Sequence, residues 1–134
     1  MSVYVLDACA VLAYLNDELG ADRVEHVILG RHTVFMASIN ILEIGYDMAR
    51  RSGRLEDAAG LYRLISTWPI HIIDRMDEPL LVAAASFKMR GRLSLADAVA
   101  LGLAQIKQAK LVTSDHHEFD ALEQAGLAQF EWIR

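Results

Sequence analysis

Apolar residues in this chain follow two spacings that take turns from one end to the other. Short aliphatic and β-branched runs alternate with longer stretches in which apolar positions recur three and four apart. Val3 to Leu6 reads as a buried strand, and Ala8 to Leu19 as the helix after it. Ala21 to about Leu29 is again helical, and Gly30 ends it. Thr33 to Met36 is a strand; Ser38 is placed to cap the next helix, which carries Ile39, Leu42 and Tyr46 on one face. Leu55 to Trp68 is helical until Pro69 stops it, having no amide hydrogen to donate. After a strand from Ile70 to Ile73, Asp77 caps a helix with Pro79 early inside it and Gly91 closing it. Ser94 caps another that continues to about Ala109. Leu111 to Thr113 is a strand, Glu118 to Gln124 a short helix, and Phe130 to Ile133 a last strand.

Strands alternating with helices predict an α/β fold of three layers, a parallel sheet covered by helices on both faces. Ligands in such sheets bind beyond the carboxyl ends of the strands. Functional residues are therefore expected where strands end and helices begin.

At 134 residues, with no linker or low-complexity stretch, residues 1–134 are expected to form one domain. Hydrophobic residues at 54% and charged residues at 23% exclude a disordered chain. The single cysteine, Cys9, cannot form an internal disulfide, and no apolar stretch approaches the roughly 18 residues of a membrane span, so a cytoplasmic location is expected. The net charge of −5 is unusual for a protein that grips nucleic acid through many phosphates. Contact with a polyanion must then be local, or carried in part by bound cations.

Four carboxylates change the picture. Asp7 follows the first strand directly and precedes an apolar helix, where a charge is costly unless something pairs with it. A helix cap would account for it alone. Asp115 mirrors it beyond Lys110-Leu111-Val112-Thr113, where a loop acid is the plain alternative. Asp97 completes Ser94-Leu95-Ala96-Asp97, which has capping-box spacing. Glu43 interrupts Ile41-Leu42-Glu43-Ile44 one turn into a helix; as a solvated face it would be shared with Asn40 and with Asp47, a like charge at i,i+4. The carboxyl ends of parallel strands share one edge, so the four should converge. Two carboxylates at ~4 Å repel by about 4 kcal/mol at an effective dielectric near 20. Such a cluster calls for a counter-charge, and all-oxygen ligation suits Mg²⁺ or Mn²⁺.

Val5-Leu6-Asp7-Ala8-Cys9-Ala10-Val11-Leu12, Ser38 with Glu43, Ser94-Leu95-Ala96-Asp97-Ala98 and Leu111-Val112-Thr113-Ser114-Asp115 occur in an order that resembles the PIN domain. Within that family the chain resembles the VapC-type toxins of bacterial toxin–antitoxin pairs, over almost its whole length. The resemblance implies a metal-dependent endoribonuclease in which Asp7, Asp97 and Asp115 hold one or two ions. Glu43 would complete the catalytic set by holding a metal-bound water or positioning the attacking one. Thr113 and Ser38 would orient ligands or contact a phosphate. It further implies an RNA substrate, a homodimer and a small antitoxin partner. One departure is Cys9, where the family often has Ser, Thr or Asn; a thiol donates a weaker hydrogen bond to support Asp7.

Arg50, Arg51 and Arg54, and likewise Lys88, Arg90 and Arg92, surround glycines at helix ends. They complement the helix dipole, or line a phosphate track. His116-His117 reads as an exposed loop, with a phosphate contact as its functional alternative. The mean hydropathy of +0.23 leaves apolar surface to spare, and the helices bearing Val24, Val27 and Ile28, and Leu55, Leu61, Leu64 and Ile65, are candidate docking faces. Two rivals stand beside the toxin: a housekeeping PIN-type nuclease in RNA processing, and a PIN-like module that holds RNA or protein without cutting. An aspartyl phosphatase of the haloacid dehalogenase type would need a second Asp two residues after Asp7, where this chain has Cys9.

Overall fold

The computed structural model describes residues 2–134. Five strands form one sheet: β1 (Val3–Leu6), β2 (Thr33–Ala37), β3 (His71–Ile73), β4 (Lys110–Thr113) and β5 (Phe130–Trp132). Their order is β3-β2-β1-β4-β5 and every pairing is parallel. The chain lays down β1, β2 and β3 in one direction and then returns to the other side of β1 for β4, in the register Leu6↔Val112. The crevice beyond the carboxyl ends of β1 and β4 is thus the topological switch point, the usual ligand site of such a sheet.

Seven helices cover the two faces: α1 (Ala8–Leu15), α2 (Ala21–Leu29), α3 (Ser38–Ser52), α4 (Leu55–Ser66), α5 (Glu78–Met89), α6 (Leu95–Ile106) and α7 (His116–Gln124). Side chains alternate across a strand. Val5 and Leu111 accordingly join the core beneath α5, α6 and α7, while Tyr4, Leu6 and Val112 join the one beneath α1 to α4. The three-layer α/β/α architecture agrees with the expectation from the sequence. Among the described residues no helix is long and apolar enough to cross a membrane.

Local differences have local causes. The first helix ends at Leu15 rather than Leu19, because Asp17 turns into the left-handed region at φ 51°. Ser38 lies inside α3 and caps nothing; Ala37 holds the N-cap position without a side-chain bond. The α3 face predicted from Ile39, Leu42 and Tyr46 is not the core face. Leu42 and Tyr46 are 66% and 65% exposed, and Ile41, Ile44 and Gly45 are buried instead. Of the candidate docking residues, Val24, Val27, Ile28, Leu61 and Ile65 are buried in the core beneath α1 to α4, which leaves Leu55 and Leu64 exposed. α1 packs against α2 and α3 against α4, so those faces are consumed within the fold.

α5 and α6 pack at backbone distance because Gly102 has no side chain. A Cβ built there would stand 2.7 Å from the Ala84 amide nitrogen. Gly102→Ala is expected to destabilise the protein by about 1–3 kcal/mol through overpacking, read as a lower urea midpoint with an unchanged slope.

Candidate active site at the carboxyl edge of the sheet

Asp7 ends β1 and begins α1. Its carboxylate accepts the Ala10 amide at 2.8 Å, so the cap reading is correct as far as it goes. The residue is nevertheless only 2% exposed, and burial pushes its carboxyl up to about 7, against bonds from Thr113 and Ala10 that lower it. The charges of Asp97 and Asp115 push in the same direction as burial. Asp7 is therefore a carboxylate whose charge the surrounding protein does not stabilise.

Asp115 is not in a loop. It is the N-cap of α7, accepting the His117 amide at 3.2 Å, and α7 begins at His116, two residues before the predicted start. Thr113, fully buried at the end of β4, accepts the Asp115 amide at 3.0 Å while its hydroxyl bonds to Asp7. One hydroxyl thus couples the ends of the two central strands. Thr113→Val should leave both groups short of a partner, at a cost of about 1–3 kcal/mol, and Thr113→Ser should recover most of it in a denaturation series.

Asp97 occupies the third position of α6, where Ser94 caps the helix by accepting the Asp97 amide at 3.0 Å. Burial raises its carboxyl, the Ser94 hydroxyl and backbone amide oppose this, and Asp115 adds to it. Glu43 projects from the exposed side of α3; partial burial raises its carboxyl, a bond from Asn40 lowers it, and Asp97 raises it further. Cys9 records the convergence. Its thiol is pushed up to about 12 by burial first and then by the charges of Asp7, Asp115, Asp97 and Glu43 together.

The structure thus brings all four predicted acids to one crevice. None is engaged in an ion pair among the described residues, whose ion pairs involve Asp47, Asp120, Glu118 and Glu18 instead. The side chains do not stand ready as a metal cage: among the described residues no three His, Cys, Asp or Glu groups are positioned to hold one ion. The donor set still fits a hard divalent cation, being all oxygen, partly desolvated and lacking any lysine or arginine to balance it.

Asn40 is the residue to which the sequence assigned no role, beyond a place on a solvated face in the alternative reading of Glu43. Far from a solvated face, it is fully buried, and its side-chain amide donates to Glu43 Oε1 at 3.4 Å and to the Ala96 carbonyl at 3.3 Å. Its Oδ1 is buried without a partner, an arrangement that costs about 1–3 kcal/mol. The signal was present as a lone amide between Ile39 and Ile41, three residues before the acid. Asp47 is also no part of a free acidic face, since Arg50 at 2.7 Å and Arg51 at 3.1 Å hold its carboxyl below the usual range. Those two arginines are thereby occupied. His116 bonds Asp120 and the Arg134 carbonyl, each at 2.8 Å, and stacks on Trp132 at 3.9 Å, so it clamps α7 to the end of the chain.

The pattern of the PIN domain family matches residues 4–124 of this sequence. No curated protein matches it. Among solved structures, a chain of VapBC2 from Rickettsia felis, bound to a DNA fragment from its promoter, superposes with a TM-score of 0.73 at 17% identity, covering 96% of this chain and 97% of that one. A chain of DNA-bound VapBC from Salmonella typhimurium gives 0.72 at 16% identity and covers 100% of both. VapC20 of Mycobacterium tuberculosis, described as a sarcin–ricin loop cleaving toxin, gives 0.66 at 14% identity, covering 90% and 94%.

Proposed function

This chain belongs to the PIN domain family, and from that membership and its acidic crevice we propose that it is a divalent-metal-dependent endoribonuclease, the toxin of a toxin–antitoxin pair. The observation that carries the reading is Asp7: buried, flanked by Asp97 and Asp115, and left without a cationic side chain. A fold that needed only a cap there would not surround it with two more acids. Asp7, Asp97 and Asp115 would hold Mg²⁺ or Mn²⁺. When bound, the ion lowers the pKa of water and offsets charge building on the phosphoryl oxygens. Glu43, more exposed than Asp7 and with its carboxyl raised by burial, is suited to hold or position the attacking water. Thr113 keeps Asp7 and Asp115 in register through the one hydroxyl they share. Likeness to a toxin that cleaves the sarcin–ricin loop supports RNA as the polymer that is cut.

The partner reading rests on surface left over after folding. Leu81, Met89 and Leu95 are 55%, 88% and 66% exposed around an apolar cleft of about 390 Å³ between α5 and α6, which suits a second copy of this chain. A groove of about 480 Å³ bounded by Leu12, Met48 and Leu64, with Arg51 and Asp57 on its rim, suits an amphipathic helix of an antitoxin. Incubation with a mixed RNA pool is expected to shorten the chains with Mg²⁺ and leave them intact in EDTA. Light scattering should give twice the 14.9 kDa chain mass. A strict monomer, harmless when expressed alone, would favour a housekeeping nuclease with the same site.

A further inference from the structure

We infer that Asn40 is a positioning residue of this site: its buried amide ties Glu43 on α3 to the first turn of α6 beside Asp97, keeping the two acids in register. The inference rests on the nuclease reading of the four acids.

The amide spends its donors on two elements, Glu43 Oε1 on its own helix and the Ala96 carbonyl 56 residues away. The Ala96 carbonyl lies in the first turn of α6, where the helix ladder already supplies it a donor. The bond from Asn40 is therefore not required to satisfy buried backbone. It adds a constraint, and it does so on the residue next to Asp97.

Packing alone does not explain the choice. Ile39 and Ile41 flank Asn40, and an apolar side chain there would leave no Oδ1 stranded. A buried polar atom kept at a cost, with its other half bonded to a candidate catalytic acid, is expected where geometry at the site matters more than stability. The need for it is electrostatic. Glu43 and Asp97 repel across the crevice, and Glu43 has no cation to hold it there. The Nδ2 group is the neutral donor that keeps Glu43 turned toward α6. Both its bonds are longer than the usual ~2.9 Å, so they can shorten as repulsion is relieved.

The test uses the full chain and two readouts. In the first, Mg²⁺ alone is titrated into isotopically labelled protein. The Asn40 side-chain amide signals are expected to move with the same apparent affinity as the Asp97 backbone signal. Movement at Asp97 with a stationary Asn40 amide would overturn the proposal. In the second, Asn40→Leu is expected to stay folded. Its kcat should fall about 100-fold, the scale of a misplaced group, at nearly unchanged KM for RNA. Asn40→Thr, which keeps one donor, should recover part of that loss, and Asn40→Asp, which adds a charge beside Glu43, should be worse than Asn40→Leu. A leucine variant with parental kcat, or an aspartate variant with parental kcat should the leucine variant not fold, would sink the idea. A parent that cuts no RNA with Mg²⁺ would overturn the ribonuclease reading instead, while the amide titration would still decide whether Asn40 follows the ion.

Discussion

Asp97→Asn is expected to abolish cleavage, by at least about 100-fold in kcat, while leaving the fold intact. The two halves of this result have separate causes. Asp97 is the third residue of α6, and what caps the helix is the Ser94 hydroxyl accepting its backbone amide, which the substitution keeps. An asparagine carbonyl can also still meet the Ser94 hydroxyl. What it lacks is the negative charge that Asp7, Glu43 and Asp115 all stand near and that a bound cation would require. Circular dichroism should therefore match the parent and the melting temperature should be no lower, while cleavage of an RNA pool with Mg²⁺ should be lost. Parental cleavage by the purified variant would remove Asp97 from the site.

Asp7→Asn carries the largest expected effect on stability, and its sign depends on pH. Burial raises the Asp7 carboxyl from 3.8 to about 7 in the folded protein. Between those values the folded state holds a proton that the unfolded chain has released, so stability is full below about 4 and falls as pH rises toward 7. Each pH unit in that window costs about 1.4 kcal/mol, on the order of 4 kcal/mol altogether. Glu43 and Asp97, raised by the same burial, add in the same sense. In EDTA the parent should lose melting temperature between pH 5 and 8, by roughly 10 °C at about 4 °C per kcal/mol. Asp7→Asn keeps an oxygen for the Ala10 amide and has no charge to bury, so its melting curve should be flatter and should lie higher at pH 8. Mg²⁺ should then raise the parent more than the variant by linkage. Equal shifts in both proteins would count against a shared ion, and a parent whose melting temperature climbs from pH 5 to 8 in EDTA would refute the strained carboxylate.

The four acids were legible because each interrupts an apolar pattern at a place where a parallel sheet exposes its ligand edge. Asp7 and Asp115 needed only the rule that strands end there. The capping role of Asp77 and of Ser94 followed from spacing alone. Where the sequence reading failed, the local pattern was compatible with two faces. On α3, the residues Ile39, Leu42 and Tyr46 share helical spacing as well as Ile41, Ile44 and Met48 do. Only the packing of α4 against α3 settles which set goes inward. Asn40 went inward with the second set, and is buried with its amide bonded to Glu43 and to the Ala96 carbonyl.

By itself, then, the sequence determined the alternation of strands and helices, the parallel sheet and the identity of the acids at its carboxyl edge. Those are properties of periodicity and of single charges set against apolar surroundings, which act locally along the chain. Tertiary structure alone decided that β4 pairs with β1, so that Asp7 and Asp115 share Thr113. It also decided that Asp7 is buried deeply enough to lose its charge near neutrality, and that α6 lies close enough to α3 for Asn40 to reach Ala96. Strand order, depth of burial and helix approach arise from contacts between residues far apart in the chain, and no local pattern of apolar and polar positions encodes them.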